Sequence, residues 1–500
     1  MTTTDEPRPS TGEAGQGDPR RWKALAVCLV AAFMSLLDVS IVNVALPSIR
    51  DGLHATESDL QWVLSGYALA FGLVLVPAGR LGDARGRRNA FLFGLALFTV
   101  SSAVAGLAQD PTWLVAARLA QGIGGGFITP QTAGLIQQLF RTEERGRAFG
   151  LLGTTIGLST AAGPLAGGVL IKLFGAAEGW RGVFFVNVPI GLVAIVLGFR
   201  LIPYVRRPAA ERTRQDLDPV GVLLLGAGVF ALLLPLVEER QWRGPGKWLL
   251  VPLALVLLAA FVGWERRYGR RGHQPVVALE LFRFRSYSLG AAIAMLYFAG
   301  FTAIFFIFTL YLQSGLGYSA LMAGVAVTPF AFGSAAGSAI GGRLVARAGR
   351  RLIAVGLVMV VVGFVATIVA VGLEPGRSVA WATAVPLLVA GLGSGFTISP
   401  NQAISLSEVP TSGGGSAAGV LQTGQRVGSA IGIAVVGAVF FAGLAANGGD
   451  WAAAFRRGLA VTTVFVVAAL ALAVLDVLAG RRAHAAKGRA APEHRWSPAH

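Results

Sequence analysis

Long apolar runs separated by short polar stretches recur along nearly the whole chain, Leu249–Val262 and Val461–Leu475 among them. A helix crossing the ~30 Å hydrocarbon core of a bilayer needs about 20 mostly apolar residues. Fourteen such segments are predicted, at 24–46, 60–79, 89–108, 112–138, 147–171, 182–202, 219–237, 248–264, 287–312, 319–342, 351–372, 379–404, 416–442 and 458–479. The pair within 219–264 is the weakest because its second member is short. The first twenty residues, rich in Thr, Pro, Gly and acidic groups, contain no apolar run and read as a disordered tail. No cleavable signal peptide precedes the first span, which is expected to be retained as the targeting element.

Composition agrees with the pattern. The chain is 54 % hydrophobic and 13 % charged, with 67 glycines and a mean hydropathy of +0.65. That is more apolar surface than one soluble core can bury, so a membrane protein is expected. Lys and Arg number 29 on the side holding both termini and nine on the other, which places both ends in the cytoplasm of a multi-pass cell-membrane protein. The net charge of +17 therefore reflects topology rather than nucleic-acid binding, because the basic groups recur in short loops after every second span. The single cysteine, Cys28, lies inside the first span and can form no intrachain disulfide.

One charged loop is repeated. GRLGDARGRR at 79–88 is echoed by GRLVARAGRR at 342–351, GIGGGFITP at 122–130 by GLGSGFTISP at 391–400, and GRAFGLL at 146–152 by GSAAGVL at 415–421. Three ordered matches at nearly constant offset imply two homologous bundles of six spans, and parallel repeats of this kind enclose a midplane site in secondary transporters. The expected organisation is a tail at 1–20, a six-helix bundle at 21–202, a linker and inserted hairpin at 203–286, a second bundle at 287–480 and a tail at 481–500. Aligning Gly79 with Gly342 sets Ala346 opposite Asp83. The second loop keeps the arginines and loses the acid, so Asp83 has a role beyond topology or merely tempers local charge.

LDVSIVNVALP (37–47), WVLSGYALA (62–70), GRLGDARGRR, RLAQGIGGG (118–126) and GTTIGLSTAAGPLAGG (153–168) together resemble the fourteen-span drug:proton antiporters of the major facilitator superfamily. The resemblance implies an all-α membrane fold of two six-helix bundles with an inserted two-helix hairpin. It also implies that Asp83, Arg80 and Arg87 hold the bundles together on the cytoplasmic side. Gly163, Pro164 and Gly167 fall in the stretch that marks exchangers in that family; physically it describes a bent, closely packed helix.

An ionisable side chain within hydrocarbon costs ~2.5–3.5 kcal/mol on insertion scales, so each needs a partner, a cavity or a function. Asp38 lies about 21 Å from the inner end of its span, and counting from the outer end puts Arg118 at the same level. Asp38 is expected to carry the coupling proton or meet substrate cations, with Arg118 modulating it; a static ion pair that fixes helix packing is the alternative. Arg426, with Gln422 and Gln425 about one turn around it, either lines a cavity or bridges helices. Asn43, Gln121, Tyr297, Phe301 and Phe305 are further candidate cavity residues, and Phe306, Tyr311, Phe330 and Phe332 belong to the same aromatic stripe. Glu238 and Glu239 beside Arg240 and Trp242 are expected to form a solvated outer rim, and Asp476 to pair with the basic tail beginning at Arg481.

Other chemistry has little support. There is no phosphate-cradling G-x-x-x-x-G-K-[ST] and no G-x-S-x-G, and every histidine (54, 273, 484, 494 and 500) lies outside the spans. No enzyme activity, cofactor or metal is expected. The function expected is proton-coupled export of drugs or other lipophilic small molecules by a monomer in the lipid bilayer. A dedicated exporter of one metabolite or self-made antibiotic, or an importer on the same fold, is the alternative.

Overall fold

The computed structural model describes residues 20–175, 178–204, 218–237, 242 and 244–489. The expected tails at 1–20 and 481–500, and the rim residues Glu238, Glu239 and Arg240, lie largely or wholly outside the described residues or side chains. In chain order the long helices are α1 (Arg21–Leu53), α2 (Glu57–Arg85), α3 (Arg87–Gly106), α4 (Pro111–Leu139), α5 (Thr142–Phe174), α6 (Gly179–Phe185), α7 (Asn187–Leu201), α8 (Pro219–Val237), α9 (Leu250–Arg270), α10 (Arg285–Leu310), α11 (Ala320–Ala348), α12 (Arg350–Leu373), α13 (Val379–Ser405), α14 (Gly414–Ala446) and α15 (Trp451–Arg489). Most overrun the predicted apolar cores at their ends, because helical hydrogen bonding continues past the hydrocarbon boundary.

Thirteen helical stretches among the described residues are long and apolar enough to cross a membrane, with α6 and α7 forming one of them. The remaining predicted span, α4, is 29 residues long but falls short of that apolarity. Arg118, Gln121, Gln131, Gln137 and a run of glycines dilute it, and these are the residues that α4 contributes to the interior. Its start is fixed by Asp110, whose side chain accepts from Trp113 N, followed by Pro111 at the first helical position. The tight turn between α2 and α3 is Gly86 alone, at φ +106°, a conformation that favours glycine.

Packing draws the chain into two sets of helices. One hydrophobic core is built from α10 to α15 around Tyr297, Phe308, Phe330, Leu357, Phe364, Phe440 and Phe455. Another fills one end of the first set around Ile41, Val63, Leu114, Trp180 and Phe184. A third, at the end carrying the arginine-rich loops, joins both sets: Phe91, Ile136 and Phe149 pack in one cluster with Tyr287, Leu406, Ala417 and Leu421. A smaller cluster links the two sets farther from that end, where Val229 and Leu233 pack with Leu69 on one side and Val427 and Ala430 on the other.

The closure depends on backbone contact at glycines. A Cβ on Gly79 would lie 2.3 Å from Gly415 O, and one on Gly342 would lie 2.5 Å from Gly146 O. The aligned glycines of the two repeated loops thus serve matched roles, seating α2 on α14 and α11 on α5. The glycines of α5 serve two partners: Gly146, Gly150, Gly153 and Gly157 face α11, whereas Gly163 and Gly167 face Ser40 and Ile41 of α1. The side chain of Pro164 lies outside the described set. Helices α8 and α9 pack on each other, and α8 also rests through Val229 and Leu233 on Leu69 of α2 and on Val427 and Ala430 of α14.

Candidate functional site

Within the first set, α1 brings Asp38, α4 brings Arg118 and Gln121 one turn apart, α7 opens with Asn187, and α3 supplies Ser102. These meet in one hydrogen-bonded cluster. Arg118 Nη1 donates to Asp38 Oδ2 at 2.5 Å and to Gln121 Oε1 at 2.7 Å. Gln121 Nε2 donates to Asp38 Oδ1 at 2.8 Å, and Asn187 Nδ2 donates to the same oxygen at 3.0 Å. Both amides also reach Ser102 Oγ. The Nε of Arg118 is bound by Val63 O, and its guanidinium lies 4.3 Å above the Tyr67 ring. Asp38 is 0 % exposed and Arg118 1 %.

The depth estimate is met, since the two charges make direct contact. A buried ion pair repays its desolvation only when its other polar atoms also find partners, and here both carboxylate oxygens and the Nε and Nη1 of Arg118 do so. Gln121, expected in a substrate cavity, is instead a buried ligand of the carboxylate. Asn187, Ser102 and Tyr67 are members that carried no signal of charge in the sequence.

The second constellation is at the basic end. Asp83, on the last turn of α2, accepts from Gly415 N at 3.0 Å, Ser416 N at 2.7 Å and Ser416 Oγ at 2.9 Å. These donors belong to the first turn of α14, where backbone N–H groups lack helical partners and the helix dipole favours an anion. Arg87 donates to Asp83 Oδ1 through Nε and Nη2, to Gly134 O at 2.6 Å, and to Thr411 O of the other set. Gln137 adds a bond across the sets to Leu406 O at 2.7 Å. Arg80 gains a partner that the motif does not contain. It reaches Gln274, in the segment that follows α9.

Arg426 lies on the stripe of α14 that faces α2, with its guanidinium 4.5 Å from the Phe71 ring. Gln422 is buried, while Gln425 and Arg426 keep part of their surface open. Asn43 is exposed and donates to Val39 O. Among the aromatic candidates, Phe301 and Phe305 pack on Phe330, and Tyr297 is buried against Phe301. Tyr311 bonds Pro375 O and stacks on Phe455, and Phe332 is 58 % exposed, so neither shares that cluster. The side chains of the tail beginning at Arg481, expected to pair with Asp476, lie outside the described set. Asp476 pairs with Arg350 at the start of α12 and with Arg285 at the start of α10.

Residues 28–433 match the Major Facilitator Superfamily. The chain is 38 % identical over 443 residues to the "Probable actinorhodin transporter" of Streptomyces coelicolor, covering 87 % of this chain and 75 % of that protein. It is 36 % identical to the puromycin resistance protein pur8 of Streptomyces alboniger, covering 86 % and 84 %. In fold it is similar to the human organic anion transporter MFSD10, with a TM-score of 0.66 at 14 % identity over 91 % of this chain and all of that one. Matched over most of its length by the family and sharing its helical architecture, this chain belongs to the Major Facilitator Superfamily of membrane transporters.

Proposed function

We propose that the protein is a proton-coupled exporter of lipophilic small molecules, working by alternating access in the cell membrane as a monomer with both termini cytoplasmic. In this reading the bilayer is crossed fourteen times, by bundles at 21–202 and 287–480, with α8 and α9 as the inserted pair. Asp38 is the proton-carrying group and Arg118 its partner. Asp83 and Arg87 latch the cytoplasmic side, and α5 with Gly163, Pro164 and Gly167 is the antiporter-type helix packed on α1.

The observation that carries the reading is the cluster around Asp38. Here three protein donors hold the carboxylate and the group has no open surface. Proton exchange therefore belongs to a second conformation, in which α1, α4 and α7 shift enough to release it, and that dependence on conformation is what coupling requires. The relatives named for actinorhodin and puromycin favour, as the narrower form of the same function, export of one antibiotic-like compound.

The test is transport in liposomes with an imposed pH gradient. Wild-type protein accumulates a lipophilic dye against its gradient, in exchange for protons. Asp38→Asn abolishes the accumulation while leaving downhill exchange of the dye. Undiminished pH-driven accumulation by Asp38→Asn would defeat the assignment.

A further inference from the structure

Arg426 stands eleven residues past Gly415 on α14, about 16 Å from the latch along the helix and therefore near the middle of the bilayer. The stripe of α14 that faces α2 begins with backbone packing, Gly415 on Gly79 and Gly419 on Leu75 and Val76. Two turns farther out it changes character, to buried Gln422 and half-buried Arg426. Opposite, Phe71 and Tyr67 stack one turn apart on α2, with ring centroids 6.0 Å apart. The result is a continuous series across the two sets: Arg118 over Tyr67, Tyr67 beside Phe71, and Phe71 under Arg426.

The two guanidiniums differ in how they are neutralised. Arg118 is paired with Asp38 and spends its donors on Asp38, Gln121 and Val63. Among the described residues Arg426 has no ion pair and no hydrogen-bond partner. The buried acids among the described residues are committed elsewhere: Asp38 to its cluster, Asp83 to the latch, Asp476 to Arg350 and Arg285, and Asp218 to Trp264 and Gly221 beside Glu265 at the foot of α8 and α9. A guanidinium does not deprotonate in a protein and presents five N–H donors in a planar fork. Over an aromatic face at mid-membrane, its unused donors are suited to an anion.

We infer that Arg426 is a substrate-recognition residue, and that the transported class consists of planar lipophilic molecules bearing an acidic group, such as a carboxylate or phenolate. The fork of Arg426, seated on buried Phe71, takes the acid, and the half-buried Gln425 borders the ring system. This inference deepens the exporter reading and rests on it for the word "transported"; the binding preference itself does not depend on proton coupling.

The probes are three pyrenes of equal ring size: 1-pyrenebutyrate, 1-pyrenebutanol and 1-pyrenebutylammonium. Each is titrated by fluorescence against the full-length protein in lipid nanodiscs. Wild type is expected to bind the acid at least about tenfold more tightly than the amine, the size of one charge-assisted hydrogen bond. In Arg426→Gln the acid-over-alcohol preference falls to near unity, and in Arg426→Lys it returns in part, because the charge is kept and the fork is lost. An amine bound as tightly as the acid by wild type would overturn the inference without any variant. So would an acid preference that survives Arg426→Gln. Loss of pH-driven transport in Asp38→Asn is read separately, so the exporter reading and this one fail by different observations.

Discussion

Replacing Asp83 with Asn removes the charge at the latch while keeping its shape. The carboxylate accepts three hydrogen bonds from the first turn of α14. Asparagine offers one oxygen, and its amide nitrogen sets a donor against one of the backbone N–H groups. At least one charge-assisted bond is lost and the others weaken. With such bonds contributing roughly 1.5–3 kcal/mol each, the closed basic end is expected to lose about 3 kcal/mol. Since about 1.4 kcal/mol is a factor of ten, the ratio of closed to open protein falls by about two decades. A closed state favoured a hundredfold would then stand near parity with the open one. The sole cysteine, Cys28, is buried and can be replaced by Ser, so spin labels at exposed Arg141 and Arg347, at the ends of α5 and α11, report the separation of the sets. Double electron–electron resonance should show one short distance in the parent and a second, longer population in Asp83→Asn. An unchanged single distance would refute the role of Asp83 as a latch.

Two further outcomes follow from packing. Asn187→Ala removes one donor to Asp38 and one to Ser102 in a buried cluster, and thermal unfolding in detergent should show a loss of about 1–3 kcal/mol; no change in the midpoint would mean the cluster tolerates the gap. Gly432→Val places a side chain where a Cβ would lie 1.9 Å from Ala299 O, so α10 and α14 must part; size-exclusion chromatography should show little monodisperse protein, and normal yield and stability would contradict the packing.

Much of this was legible because the bilayer forces it. Apolar length marks most of the helices, and the depth of Asp38 and Arg118 follows from counting residues at a fixed rise, which is why the pair was expected at one level and was found in contact. The neutral members were not legible. Asn187 and Ser102 are single polar residues in apolar surroundings, and only the adjacency of α1, α3, α4 and α7 gives them meaning. The described partners of Asp476 were not legible either: Arg285 and Arg350 are near it in space, at the starts of helices more than a hundred residues away in sequence. Arg80 was carried over with its motif, yet its direction is set by Gln274, which the motif does not contain. The polarity that dilutes α4 below the other spans was itself a clue, because those side chains are the ones turned inward.

The surface that α8 presents to its neighbours has a mechanical consequence. Leu233 lies against Gly72, and Val229 and Leu233 cluster with Leu69, Val427 and Ala430. No described directional bond pins these side chains, and aliphatic burial depends on area rather than on register. Helices α2 and α14 can therefore slip beneath α8 by a fraction of a turn with little change in the apolar area covered. Under the proposed alternating-access cycle, the pair would behave as a greased bearing on the flank of the two sets while they rock.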